Sequence, residues 1–310
     1  MCAFGYRYDE IKALKNLQVA EDLKVSVLFD RSVERPCVAT SLGAHLIGSL
    51  LPHADPSDAY TLAQGVKGRM GKVMPICPNR TEFLEGLKSY TERWIKRRGL
   101  KPLNYNFNGD FEEWLSNTHY PSWRKDELRK YKDKITNLLE RNAHGELIHF
   151  TVKLFMKDEH YVKFAQARGI YARDEAAKII FGPWFKGIES ELYSQPEFIK
   201  HVPVKDRANY IYNRLFSEGA KYIATDYSSF EAHFTADVMK HCEFLLYEHM
   251  LQYANGGPEV LTLVKEVLMG ENRIVNKFLK AKCVARRMSG EMNTSLGNGF
   301  SNLMFIGCVS

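Results

Sequence analysis

The chain has 310 residues, 45% of them hydrophobic, and a net charge of +6. That length suits two domains or one large multi-part domain, and the composition excludes a disordered chain. No apolar run reaches the roughly 18 residues of a membrane helix, and the N-terminus lacks the charged-then-apolar pattern of a secretory signal. Six scattered cysteines without a CxxC pair argue against a zinc site or a disulfide framework and favour reduced thiols in a cytosolic setting. The positive balance favours an anionic partner without singling out nucleic acid.

Residues 41–51 make an apolar run too short for a bilayer. Gly65 to Lys72, GVKGRMGK, imitates a phosphate-binding loop, but Met70 stands where that loop needs glycine and Val73 follows the lysine. What remains is a flexible basic loop. Lys67, Arg69 and Lys72 are candidate contacts to an RNA backbone, and a solvated surface turn is the plainer alternative. Thr81 to Arg98 reads as a helix with Phe83, Leu84, Leu87 and Trp94 on its apolar side and Gly99 at its end. Two further helices are expected at Phe111–Leu115 and Asp126–Leu139.

His149 to Met156 is rich in β-branched and aromatic residues and predicts a strand. Lys157, Lys163, Arg168, Arg173 and Lys178 follow, alternating with apolar residues. The expectation is extended chain presenting its cations on one side, where guanidinium groups grip phosphate through paired hydrogen bonds; a β-rich surface with ordinary charges is the equal alternative. Pro183 suits the first turn of a helix carrying Trp184, Ile188 and Leu192.

Lys221 to Glu231, KYIATDYSSFE, is the focus of the chain. Alternation puts Tyr222, Ala224 and Asp226 on one face of a strand; a carboxylate at a strand end is a natural seat for a hard cation, and a solvated turn residue is the plainer alternative. Thr235 then caps a helix with Val238, Cys242, Leu245, Leu246 and His249 on one face. His241 and His249 lie two turns apart and read as core or rim residues rather than a metal pair. Asn255 to Pro258 stops that helix, and the next buries Val260, Val264, Val267 and Leu268. Glu271 to Arg287 alternates loosely and is basic. Met288 to Asn298, MSGEMNTSLGN, pairs a flexible Ser289-Gly290 with Thr294 and Asn298, which share one helical face.

These segments, in this order, resemble the viral RNA-dependent RNA polymerases, the tombusvirus-like group above all. The likeness spans nearly the whole chain and is weakest before about Leu42. Gly65–Val73 resembles a Gly- and Arg-containing segment of that family. Phe155 to Glu159 matches an F-x-K-x-E element, and Arg168 with Arg173 an arginine pair. Asp226 and Glu231 match the D-x4-D of motif A, and Ser289, Gly290, Thr294 and Asn298 match the S-G-x3-T-x3-N of motif B.

The resemblance implies an α+β right-hand polymerase. Residues 1–180 would be fingers, 181–255 palm with motif A, 256–287 a fingers insertion, and 288–310 palm with motif B, the thumb being absent. It implies template-directed nucleotidyl transfer from NTPs in viral RNA replication, by two metal ions, Mg2+ or Mn2+. Asp226 would be the catalytic metal ligand. Lys157, Arg168 and Arg173 would neutralise the triphosphate. Glu231 and Asn298 would read the ribose 2′-hydroxyl, with Ser289, Gly290 and Thr294 adjusting the contact. The partners implied are an RNA template, the nascent strand and NTPs. The implied location is the host cytoplasm, at replication membranes through other viral parts.

Two departures qualify the match. Position 231 is Glu where the family has Asp, one methylene further out. No Gly-Asp-Asp of motif C follows motif B, and Asn108-Gly109-Asp110 imitates it without the preceding apolar strand. The chain reads as a truncated product or as one half of a polymerase whose second chain carries motif C, and is expected to be inactive alone. A non-catalytic RNA-binding protein is the alternative, and a reverse transcriptase is disfavoured by Asn298 and the acidic residue at 231.

Overall fold

A computed structural model describes residues 18–28, 54–56, 58–73, 75, 77–161 and 165–309. Lys163 and the apolar run at 41–51 lie outside the described residues. The fold is α+β. Strands β1 (Lys24–Val27), β2 (Val152–Met156), β3 (Gly169–Arg173), β4 (Glu271–Val275) and β5 (Leu279–Val284) form one mixed sheet in the order β1-β5-β4-β2-β3. Only β2 and β4 run parallel; the other neighbours are antiparallel.

Strand alternation decides what the sheet buries. Leu279, Ala281 and Cys283 of β5, Ile274 of β4, and Val152 and Leu154 of β2 face one core with Tyr171 of β3. Helix α1 (Ala59–Arg69) closes that core through Leu62, Ala63 and Val66. Lys153, Lys280 and Lys282 take the exposed alternate positions.

The larger core lies among helices α2 (Arg80–Arg98), α5 (Glu175–Leu192), α8 (Glu243–Leu251), α9 (Gly257–Met269) and α10 (Thr294–Val309). The α2 helix ends as its sequence predicts, with Gly99 left-handed at φ 60°. Its Trp94 meets Phe300 of α10 edge-on at 5.7 Å. The α9 helix buries Val260, Val264, Val267 and Leu268, as expected.

Several expectations give way. Helix α3 (Phe111–Ser116) is capped by Asp110, whose carboxylate accepts from the Glu113 amide at 2.7 Å. Asn108-Gly109-Asp110 is thus a helix start. Helix α4 spans Ser122–Lys134, beginning and ending earlier than predicted. The extended stretch stops at Arg173. Asp174 caps α5, which contains Lys178 and holds Pro183 in its interior rather than its first turn. The helix expected from Thr235 is broken at His241-Cys242 into α7 (Ala236–Lys240) and α8. Helix α6 (Arg207–Leu215) carries no buried residue.

The largest correction is Lys221–Asp226. It is not a strand, and residues 221–226 are exposed. A strand exists only where a neighbour satisfies its backbone N–H and C=O groups. Among the described residues, none supplies a backbone partner to this segment.

Candidate functional site

The Gly65–Lys72 stretch is not a flexible loop. Its first five residues are the last turns of α1, and Gly65 serves close packing, since a Cβ there would stand 2.4 Å from the Ala167 carbonyl oxygen. Two of its three cations reach the stretch from Asp226 to Glu231. Arg69 Nε donates to Glu231 Oε1 at 2.6 Å and Nη2 to Oε2 at 3.3 Å. Lys72 Nζ donates to Ser228 Oγ at 2.6 Å. Lys67 is half-buried. Glu231 sits in a 3-10 turn, Phe230–His233, launched by a left-handed Ser229 at φ 53°. Phe230 and Phe234 pack near Phe305 of α10, each with ring centroids 6.3 Å from it.

The segment that leads from β5 to α10 reaches the same turn from the sheet. Two consecutive left-handed residues, Ala285 and Arg286, swing the chain off the end of β5. The Arg286 amide then donates to the Phe234 carbonyl at 2.9 Å and the Arg287 amide to the Glu231 carbonyl at 3.2 Å. Arg286 also binds the Met70 carbonyl at 3.1 Å and Asp22 at 2.9 Å. The Arg287 side chain is 1% exposed. Its Nη2 pairs with Glu243 Oε2 at 2.5 Å and its Nε with Asn298 Oδ1 at 3.1 Å, while its guanidinium lies 4.2 Å from the Phe234 ring centroid. Burial opposes the charge on Arg287, but the Glu243 carboxylate beside it outweighs that and holds its pKa above the ordinary value. Burial, then Glu243, pushes the Tyr247 phenol well up.

The Ser289-Gly290 loop is pinned to β3. Ser289 Oγ accepts from the Tyr171 amide at 3.2 Å, and the Gly290 amide donates to the Tyr171 carbonyl at 2.9 Å. A Cβ on Gly290 would come within 3.0 Å of Ala172 Cα and the Tyr171 oxygen. Thr294 Oγ1 donates to the Met288 carbonyl at 2.8 Å, tying the start of α10 to the loop.

The basic stretch separates into two environments. Lys157 and Arg168 stay open, their side chains 41% and 47% exposed. Both approach Glu159, at 2.7 Å and 3.4 Å. Burial alone would raise the Glu159 carboxyl, but the Lys157 hydrogen bond and the charges of Arg168 and Lys157 hold it below its ordinary value. Arg173 is different: its side chain is 5% exposed. It donates to Glu291 Oε1 at 2.6 Å, the Phe150 carbonyl at 3.0 Å and Asn272 Oδ1 at 2.5 Å. Arg173 ends β3 on the buried side with Tyr171, Arg168 precedes the strand and Lys178 lies in α5, so the cations do not share one face. The expectation of a single basic face is corrected accordingly, and Arg173 is a wall residue of the fold.

Asp226 is exposed, and its Oδ1 accepts from the Tyr227 amide at 2.9 Å. Among the described residues, no three His, Cys, Asp or Glu side chains are grouped to hold a metal ion. One carboxylate does not fit a two-metal centre, so these residues do not by themselves form the Mg2+ or Mn2+ site that the resemblance implies. His241 and His249 contact backbone oxygens of Asp237 and Leu100, at 2.6 and 2.8 Å, consistent with core or rim roles.

The sequence reading passed over Arg287 and Glu243. A signal was present: Glu243 falls between Cys242 and the apolar Phe244-Leu245-Leu246, and a carboxylate in such a face needs a buried cation. Compared with protein-family models and with characterised proteins, the chain matches none.

Proposed function

We propose that this chain supplies the fingers and part of the palm of a viral RNA-dependent RNA polymerase. The supporting observation is the bridge made by Arg287. Its amide holds the Glu231 carbonyl and its guanidinium holds the Asn298 side chain. The two residues proposed to read a ribose hydroxyl, far apart in sequence, are thereby tied to one residue, Glu231 through its backbone carbonyl and Asn298 through its side chain. A carboxylate acceptor and an amide donor suit the 2′-hydroxyl, which is both donor and acceptor.

On this reading Lys157 and Arg168 meet the triphosphate, and Lys67 and Lys72 lie toward the RNA. Arg69 serves Glu231 instead. Residues 1–180 and 256–287 belong to the fingers, and 181–255 and 288–310 to the palm. Asp226 contributes one carboxylate to a Mg2+ or Mn2+ site whose remaining ligands come from elsewhere, on a second chain carrying motif C or on further sequence of this protein. The unpaired backbone of Lys221–Asp226 is where a strand bearing them would add. No helix among the described residues is long and apolar enough to cross a membrane, so attachment to replication membranes in the host cytoplasm would run through other components.

A non-catalytic RNA-binding protein is the second reading, favoured by the isolation of Asp226. The test is incorporation of labelled NTPs on an RNA template by this chain assembled with the polypeptide that follows it in the encoding genome or is encoded on a companion segment. Activity lost in Asp226→Asn, with RNA binding retained, supports the polymerase. RNA binding without incorporation by any such assembly supports the second reading. Primer extension by the isolated chain would refute its incompleteness.

A further inference from the structure

Taking the nucleotide-site reading above as its basis, we propose that Arg287 is a positioning residue that sets ribose specificity by fixing which face of the Asn298 amide meets the nucleotide. An arginine only donates. With Nε 3.1 Å from the Asn298 side chain, the atom turned toward Arg287 must be the carbonyl oxygen. The NH2 group is then the face left over, and it donates to no protein acceptor among the described residues. Without the arginine, the amide is free to turn over and present an acceptor, which repels the lone pairs it should bind.

The arginine is itself held still. Glu243 takes Nη2, the Phe234 ring supports the guanidinium plane, and the Arg287 amide is bonded to the Glu231 carbonyl. Tyr247 donates to the same Glu243 oxygen at 3.1 Å and accepts from Asn293 at 3.3 Å. Gly297, the neighbour of Asn298, leaves room for the pair: a Cβ there would lie 2.5 Å from Glu243 Oε2 and 2.6 Å from Arg287 Nη2. The amide therefore stands on a rigid buried support, the condition under which one hydrogen bond discriminates between ligands. A fixed amide donor of this kind suits the oxygen of a ribose hydroxyl.

The test is equilibrium binding of GTP and 2′-deoxy-GTP, with Mg2+, to the wild-type chain, Arg287→Lys and Asn298→Asp, each checked for folding by thermal unfolding. The wild type should prefer GTP by roughly 3–10-fold, the worth of one neutral hydrogen bond. Arg287→Lys keeps a cation for Glu243 but loses the Nε donor. It should bind 2′-deoxy-GTP as the wild type does and lose the preference. A purely structural role would weaken both nucleotides equally and leave their ratio intact, which overturns the proposal. Asn298→Asp keeps an acceptor for Arg287 and removes the donor, so it decides the matter if the lysine variant does not fold. Loss of preference in a folded N298D chain supports the fixed donor face, and a retained preference refutes it. If the wild type binds both nucleotides equally, the specificity proposal fails while triphosphate recognition stands. If it binds neither, the nucleotide-site reading fails with it.

Discussion

Arg69 grips Glu231 with both ends of its guanidinium edge, Nε at 2.6 Å and Nη2 at 3.3 Å, joining the end of α1 to the Phe230–His233 turn. The Glu231 side chain is 14% exposed, so the carboxylate is largely out of water. Losing the arginine leaves it without that partner. Arg69→Met should lower stability by about 1–3 kcal/mol. The expected signature is a Tm lower by several degrees in calorimetry, largely restored by removing the acid as well in Glu231→Gln. Additive losses in the double variant would show that the two side chains do not depend on each other.

Arg173 and Arg168 should behave in opposite ways. Replacing Arg173 by alanine strands the Glu291 carboxylate, itself 5% exposed, and should cost about 3–5 kcal/mol. Arg168→Ala touches an exposed pair with Glu159 and should change stability by under about 1 kcal/mol. Urea unfolding of both variants measures the contrast. Similar midpoints would mean that Arg173 is not the wall residue described above. Triphosphate affinity, read separately, should fall in Arg168→Ala.

Gly290→Ala places a methyl group against β3, within 3.0 Å of Ala172 Cα and the Tyr171 oxygen, both backbone atoms with little freedom to yield. The loop should lift, breaking the Gly290–Tyr171 bond at a cost of about 1–3 kcal/mol. Hydrogen exchange at the Gly290 amide is the direct readout. Unchanged protection in the variant would show that the loop tolerates the methyl.

The Glu159 carboxyl should titrate below its ordinary 4.5, because Lys157 and Arg168 favour its ionised form. The sign follows from linkage. A carboxyl lowered in the folded state adds stability above its unfolded pKa and loses it as pH falls through the folded value. The pair with Lys157 therefore persists across neutral pH and opens only in acid. Carbon-detected NMR of the Glu159 side chain should give a midpoint under 4.5, moving up in Lys157→Met. A midpoint at or above 4.5 contradicts the assigned cause.

Local signals in the sequence determined a good part of this protein. The period of α2 and its Gly99 stop, the four inward residues of α9, the strand expected from His149 to Met156, which forms over Val152–Met156, and the Thr294 helix are all written in neighbouring residues. Three features were settled only by distant parts of the chain. Lys221–Asp226 has the composition of a strand, but pairing requires a neighbour and none of the five strands reaches it. The glycines of α1 suggested mobility, yet Gly65 is where another backbone presses close. Arg287 looked like one cation among several in a basic stretch. Its role comes from Glu243, Asn298 and the Glu231 carbonyl, which no pattern of neighbouring residues brings together. A buried charge takes its meaning from what surrounds it, and that is decided only once the chain has folded.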